Sequence, residues 1–166
     1  MNKLKIRHTT IKDFEEMVSL YRNARRFMIL NNNPNQWGNT YPDKKMLFQD
    51  ISHNVSYVIE SDGVIVGAFV FMIGVDLTYR VIKNGKWNSD QTYGVIHRLT
   101  GSTKAKGVAK ACFDFCLEKI NYLRIDTHAD NKIMQEILHN YGFKKCGIIF
   151  VADETERIAY DFLRNN

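Results

Sequence analysis

Gly101-Ser-Thr-Lys-Ala-Lys-Gly-Val-Ala109 is a stretch whose residue types and spacing could do chemistry, by holding an anion. A strand-like run, Tyr93–Thr100, leads into it. After it Val108, Ala111, Cys112, Phe115, Cys116 and Ile120 recur at helical spacing, with Lys110, Asp114 and Glu118 opposite. In a strand, short loop and helix in that order, the first-turn amides of the helix lack intrahelical acceptors. Their partial positive charge points back at the loop. Lys104, Lys106 and Lys110 add formal charge there, Gly107 lets backbone approach a ligand, and Ala105 and Ala109 keep side chains out of the way. The pattern predicts a phosphate cradle. It does not say for which ligand, because the three-glycine dinucleotide fingerprint and the Gly-Lys-Ser/Thr of a P-loop are both missing.

Lys104-Ala-Lys-Gly-Val-Ala109 resembles the Arg/Gln-x-x-Gly-x-Gly/Ala loop of the GNAT superfamily of N-acetyltransferases, with Lys in place of the usual Arg or Gln. Further on, Tyr122–His128 reads as a strand. Asp130–Asn140 reads as a helix with Ile133, Met134, Ile137 and Leu138 on one face, ended by Gly142-Phe143. This run is similar to the family's second motif, Asn-x-x-Ala-x-x-x-Tyr-x-x-x-Gly-Phe, and its Arg124-x-Asp-Thr-His128-x-x-Asn131-x-x-Met-Gln135 portion resembles a subgroup of the family.

The resemblance implies a coenzyme A site in which Lys104, Ala105, Lys106, Gly107, Val108 and Ala109 hold the pyrophosphate. It also implies that the backbone around His97, Arg98 and Leu99 pairs with the pantetheine arm, in a gap where that strand splays from Tyr122–His128. Asn131 matches the helix-opening Asn, as a pantetheine contact or as a plain N-cap. Asp126 lies where some family members carry a catalytic glutamate. By period two it shares a face with Arg124 and His128, so it can act as the general base or be ion-paired with Arg124. His128 and His97 are further candidates, since imidazole titrates near neutrality; a structural, hydrogen-bonded histidine is the other reading. The family tyrosine that often protonates the thiolate falls at Leu138. Tyr141 is three positions on, about 60° away around the helix, and does not inherit the role.

The elements that must position these residues follow from the rest of the chain. Its 166 residues and 19.3 kDa suit one domain over 1–166, and 45% hydrophobic with 25% charged residues is ordinary for a globular protein. Leu4–Ile6 alternates weakly as a first strand, and Thr9 or Thr10 can cap a helix with Phe14, Met17, Val18, Tyr21, Ala24 and Met28 on one side. Segment 31–42 has loop chemistry; its Trp37 and Tyr41 can shape an acceptor pocket, or Trp37 can plug the core. A second helix is expected over 43–54, then a hairpin turning at Asp62-Gly63, whose apolar second arm should be a central strand. Residues 78–83 and 86–88, joined by Asn84-Gly85, suggest a small extra hairpin that brings Tyr79, Arg80 or Trp87 over the acceptor site or into packing. Segments 146–151 and 157–162 finish the sheet as an antiparallel pair. The fold class expected is α+β: a mixed, mostly antiparallel central sheet with helices on both faces.

The N-terminal run 1–8 lacks a signal peptide's apolar core, and no run approaches the ~20 apolar residues of a membrane span. Three cysteines without framework spacing read as reduced thiols of a cytoplasmic protein. The formal charge of +5 favours anionic partners; Arg25-Arg26 and Lys144-Lys145 are too little for nucleic acid. Cys146 with His128 and Asp126 could make a nucleophilic triad, but no spacing brings them together. Cys112 and Cys116 lack the second pair a metal needs, so no metal is expected. The expected function is transfer of an acetyl group from acetyl-CoA to an unidentified primary amine in a ternary complex, with a non-catalytic CoA-binding sensor as the alternative. Acceptor identity, acyl length and oligomeric state stay open, a homodimer among the options.

Overall fold

The computed structural model describes residues 3–164, so the first two residues of the N-terminal run lie outside the described residues. In chain order the strands and helices are β1 (Lys5–His8), α1 (Phe14–Leu30), α2 (Lys44–Ser52), β2 (Ser56–Ser61), β3 (Val64–Ile73), β4 (Gly94–Gly101), α3 (Val108–Leu117), β5 (Tyr122–Thr127), α4 (Lys132–Tyr141), β6 (Lys144–Phe150) and β7 (Glu156–Leu163). Short 3₁₀ turns lie at Ile11–Asp13 and Leu77–Tyr79. The seven strands form one sheet in the order β1-β2-β3-β4-β5-β7-β6, antiparallel throughout except for β4 beside β5. Among the described residues no helix is long and apolar enough to cross a membrane.

Alternation along the strands sets the layers. Tyr57 and Ile59 of β2 pack into the cluster that holds Cys112, Phe113 and Leu138 of α3 and α4. Val58 between them joins Met17, Leu20, Tyr21 and Leu47 of α1 and α2 on the other face. Helices therefore cover both faces, as expected. The apolar run of β3 is buried from Ile65 to Phe71, as a central strand covered on both faces must be. Its hairpin with β2 turns at Asp62 and Gly63, with φ of +51° and +78°. Thr10 caps by partnership: its amide and hydroxyl both donate to the Asp13 carboxylate, at 2.7 and 2.9 Å. At the far end, Asn131 caps α4 by accepting from the Met134 amide at 3.0 Å, and Gly142 ends it at φ +111°.

The extra hairpin expected over 78–88 does not form. The segment is a 3₁₀ turn followed by a loop whose backbone bonds to β6 instead of to itself. Lys83 and Ile148 exchange two bonds of 2.8 Å, and the Lys86 amide donates to the Cys146 carbonyl at 3.0 Å. Gly85 is required there, because an added Cβ would stand 1.8 Å from the Cys146 oxygen. Asn84-Gly85 looks like hairpin chemistry, but the neighbouring sheet edge offers the competing acceptors.

Two irregularities of β4 open the sheet. Ala68 pairs with Thr100 and Val70 with His97, so Arg98 and Leu99 together oppose Phe69 in a bulge, with Arg98 at φ +54°. Pairing with β5 is confined to Gly94–Leu123 and Val95–Arg124. Beyond Val95 the two parallel strands separate.

Candidate active site

Two cavities meet at that separation. The larger, about 1050 Å³, lies beside the β4–α3 loop and is lined by Lys104, Ala105, Gly107, Val108 and Ala109, by Ile133 and Ile137 of α4, and by Arg26 and Phe27 of α1. Gly107 precedes α3 at φ +79°, in the left-handed region, while a Cβ there would meet nothing within 4 Å. The glycine is thus explained by backbone conformation, and the space before the helix stays open. The unshared first-turn amides of α3 and the Lys104 ammonium suit a pyrophosphate in both charge and room. Lys106 is exposed and does not line the cavity, and the Lys110 ammonium is 2.6 Å from Asp114.

The second cavity, about 700 Å³, is lined by Trp37, Tyr41, Asp76, His97, Asp126 and Arg157, and shares Met28, Leu99, Asn131 and Met134 with the first. His97 Nε2 lies 2.6 Å from Asp76 Oδ2. Burial pushes the Asp76 carboxyl up, but hydrogen bonds from His97 and Thr78 outweigh it and leave the group lowered to about 2. An ionised carboxylate only accepts, so Nε2 carries a proton, and in the neutral imidazole the lone pair is then on Nδ1. Nothing in the spacing of Asp76 announced this pairing. The readable signal is an Asx turn, in which Asp76 Oδ1 accepts from the Thr78 amide at 2.8 Å.

Asp126 Oδ2 accepts a 2.7 Å hydrogen bond from the Tyr79 hydroxyl. Tyr79 is 1% exposed; burial and the Asp126 charge raise its pKa well above the usual value, so it keeps its proton. What Tyr79 touches is Asp126, and its ring lies 5.9 Å from that of His97. Among the described residues Asp126 makes no ion pair. Arg124 lies instead 3.9 Å from the Tyr93 ring centre and 4.3 Å from that of Trp87, and donates to the Ser89 carbonyl. It pins the 87–93 segment to the sheet.

The other predicted residues scatter in role. His128 lies just past the end of β5, lines neither cavity, and accepts from the Asp130 amide through Nδ1 at 3.1 Å. Asn131 is the N-cap of α4, and its amide donates to Gln36 at 2.8 Å while it lines both cavities. Arg98 clamps α2: its guanidinium is 2.7 Å from Asp50 and donates to the Tyr41 hydroxyl at 2.9 Å, and its carbonyl accepts from Tyr21 at 2.8 Å. One lone pair of that carbonyl is therefore already used. Trp37 is both core and wall, 8% exposed against Tyr21 yet lining the second cavity.

Leu138 is fully buried, and Tyr141 donates to Asp114 at 2.7 Å. Cys146, on β6, touches Asn88 and the Lys144 carbonyl, and burial beside the Asp161 charge pushes its thiol up to about 12. The Cys146–His128–Asp126 triad is not assembled. Cys112 and Cys116 are wholly buried packing residues, and no group of three or more metal-ligating side chains occurs among the described residues.

No protein-family model and no curated protein sequence matches the chain. Solved structures do. A GNAT-family acetyltransferase from Streptococcus agalactiae superposes with a TM-score of 0.87 at 25% identity, over 98% of this chain and 96% of that one. One from Listeria monocytogenes gives 0.70 at 16% identity, over 97% and 95%. The NatC complex bound to Gag peptide and CoA gives 0.64 at 11%, over 98% and 99%. The last two speak for the fold alone. Over nearly its whole length, then, this chain has the architecture of the GNAT-family acetyltransferases, and its likeness to the Streptococcus agalactiae structure supports an acetyltransferase role.

Proposed function

We propose that the chain is an N-acetyltransferase that moves an acetyl group from acetyl-CoA to a primary amine by direct attack, with both substrates bound together. The observation that carries this reading is the meeting of two cavities, one basic and helix-capped, one lined by acid–base side chains, at the opening between β4 and β5. The first-turn amides of α3 and Lys104 would hold the pyrophosphate, and the separated edges of β4 and β5 give room for an extended arm. Acetyl-CoA, when bound, supplies the thioester carbonyl that the amine attacks.

On the acceptor side, Asp126 attracts and orients the amine, and Tyr79 fixes the carboxylate by its hydrogen bond. His97 takes the amine's proton on Nδ1, and the ionised Asp76 stabilises the imidazolium that results. This exchanges the sequence ranking, in which Asp126 came first, for an Asp76–His97 pair with Asp126 as positioning group. His128, outside both cavities, has no part in it. The leaving thiolate needs no protein acid, which accords with Leu138 in the core and with Tyr141 committed to Asp114.

The test is thiol release from acetyl-CoA across a panel of primary amines. Amine-dependent release and an acetylated product are expected. Tight acetyl-CoA binding with no turnover for any amine would leave a CoA-binding protein in place of an enzyme.

A further inference from the structure

We infer that the acceptor carries a carboxylate as well as its amine, and that Arg157 receives it. This rests on the reading of the second cavity as the acceptor's. Arg157 is 7% exposed and lines that cavity, yet among the described residues it makes no ion pair. Nη1 donates to the Thr155 hydroxyl at 2.8 Å and to the Glu156 carbonyl at 2.9 Å, and Nη2 to the Gln36 carbonyl at 3.1 Å. All three partners are neutral. Of five guanidinium donors, Nε–H and one on Nη2 have no acceptor among the described residues, and these two atoms form one edge of the fork. A carboxylate fits such an edge with two parallel bonds.

Two other charged residues of the cavity are paired, while among the described residues Asp126 accepts only from the Tyr79 hydroxyl. Asp76 faces His97, and Arg98 faces Asp50. The Asp153 carboxylate also lines the cavity but is exposed, and it accepts from the Thr155 amide and hydroxyl. Asp153 feels the Arg157 charge but makes no ion pair with it, and a guanidinium this buried with no anion in contact is costly, a cost that a substrate anion would remove.

Register gives the spacing. Asp126 pairs with Ala159 and Thr127 with Ile158, so Arg157 is two residues along β7 from the partner of Asp126 and on the same face. Such diagonal neighbours lie roughly 7–8 Å apart at their backbones. An amine drawn to Asp126 and an anion drawn to Arg157 therefore belong to one small molecule, an amino acid or a close analogue. A long polyamine would instead meet an unanswered positive charge.

The experiment measures binding to the full chain in the presence of CoA, so it needs no turnover. The probes are the standard α-amino acids, β-alanine and 4-aminobutyrate, each beside its carboxamide, with O-phosphoethanolamine beside ethanolamine. At least one acid should bind about tenfold or more tighter than its amide, the low end for hydrogen bonds to a charged group. Arg157→Gln should erase that difference, and Arg157→Lys should keep only part of it. In both variants the unliganded melt and the acetyl-CoA shift report that the fold and donor cleft survive.

Equal binding of every acid and amide would overturn the inference. So would an acid preference that survives Arg157→Gln, a uniform weakening of all ligands (the mark of a residue that only ties Gln36 to β7), or a preference confined to the phosphate pair. Selective binding of an acid that is never acetylated would sink the catalytic reading and leave the subsite standing.

Discussion

The two cavities, the proposed donor cleft and the proposed acceptor cavity, meet at one gap but are made differently. The proposed donor cleft has walls from α1 and α4, but its anion-holding chemistry lies on one piece of chain, Leu99–Lys110: backbone amides at a helix start held open by a left-handed glycine. The acceptor cavity draws its side chains from places far apart in the chain: Trp37 and Tyr41, Asp76, His97, Asp126 and Arg157. The first should tolerate changes of side chain and fail on changes of backbone conformation. The second should do the reverse.

The largest break expected is His97→Ala. It should lower turnover near neutral pH by roughly 10²–10⁴-fold, the range for general acid–base catalysis, while the melt shift with acetyl-CoA is unchanged. Loss of the shift along with turnover would mean that His97 serves the donor side, or the fold, instead.

The next effect is in pH. Asp76 is held down to about 2 in the folded chain, against roughly 4 for a free carboxyl, so the unfolded state binds a proton first as acid is added. The pair's contribution is complete above about pH 4 and disappears as the pH falls towards 2, at most about 2–3 kcal/mol. Melting followed from pH 5 to 2 should therefore fall more steeply for the wild type than for Asp76→Asn. Parallel curves would show that the pair adds no stability of this kind.

Gly107→Val tests the donor side through backbone alone. A β-branched residue at φ +79° is strained by about 1–3 kcal/mol, and relief of the strain would turn the α3 amides away from the cleft. Acetyl-CoA affinity should drop while the Arg157-dependent binding of acceptors persists. The smallest effect is expected from Tyr141→Phe, which removes a bond to Asp114 worth about 1 kcal/mol and leaves turnover unchanged. A large fall in turnover would restore Tyr141 as an acid.

The same division explains what could be read from the chain. The strand, loop and helix that begin near Tyr93, the Asn131 cap and the Gly142 stop are set by neighbours a few residues away, so their order was legible and their bounds nearly so, the first helix ending at Leu117 where the apolar series ran on to Ile120. The hairpin at Asp62-Gly63 was legible for the same reason. Asn84-Gly85 has equally good turn chemistry, but its flanks found acceptors on β6, from Lys83 to Ile148 and from Lys86 to Cys146. Period two placed His128 beside Asp126, yet β5 ends at Thr127 and His128 turns to the Asp130 amide. Asp76 gave only the signal of an Asx turn and Arg157 none, since the one acquires its role when the 74–93 excursion meets β4 and the other when β7 pairs with β5.

The most direct test of this arrangement is a thermal melt of the wild-type chain with and without saturating acetyl-CoA, with free acetate as control. At a hundredfold excess over Kd the ligand should add about 2.7 kcal/mol, a rise of roughly 5–10 °C for a domain of this size. The rise should shrink in Lys104→Glu. A melt that acetyl-CoA does not move would contradict the donor cleft, and with it the acetyltransferase reading.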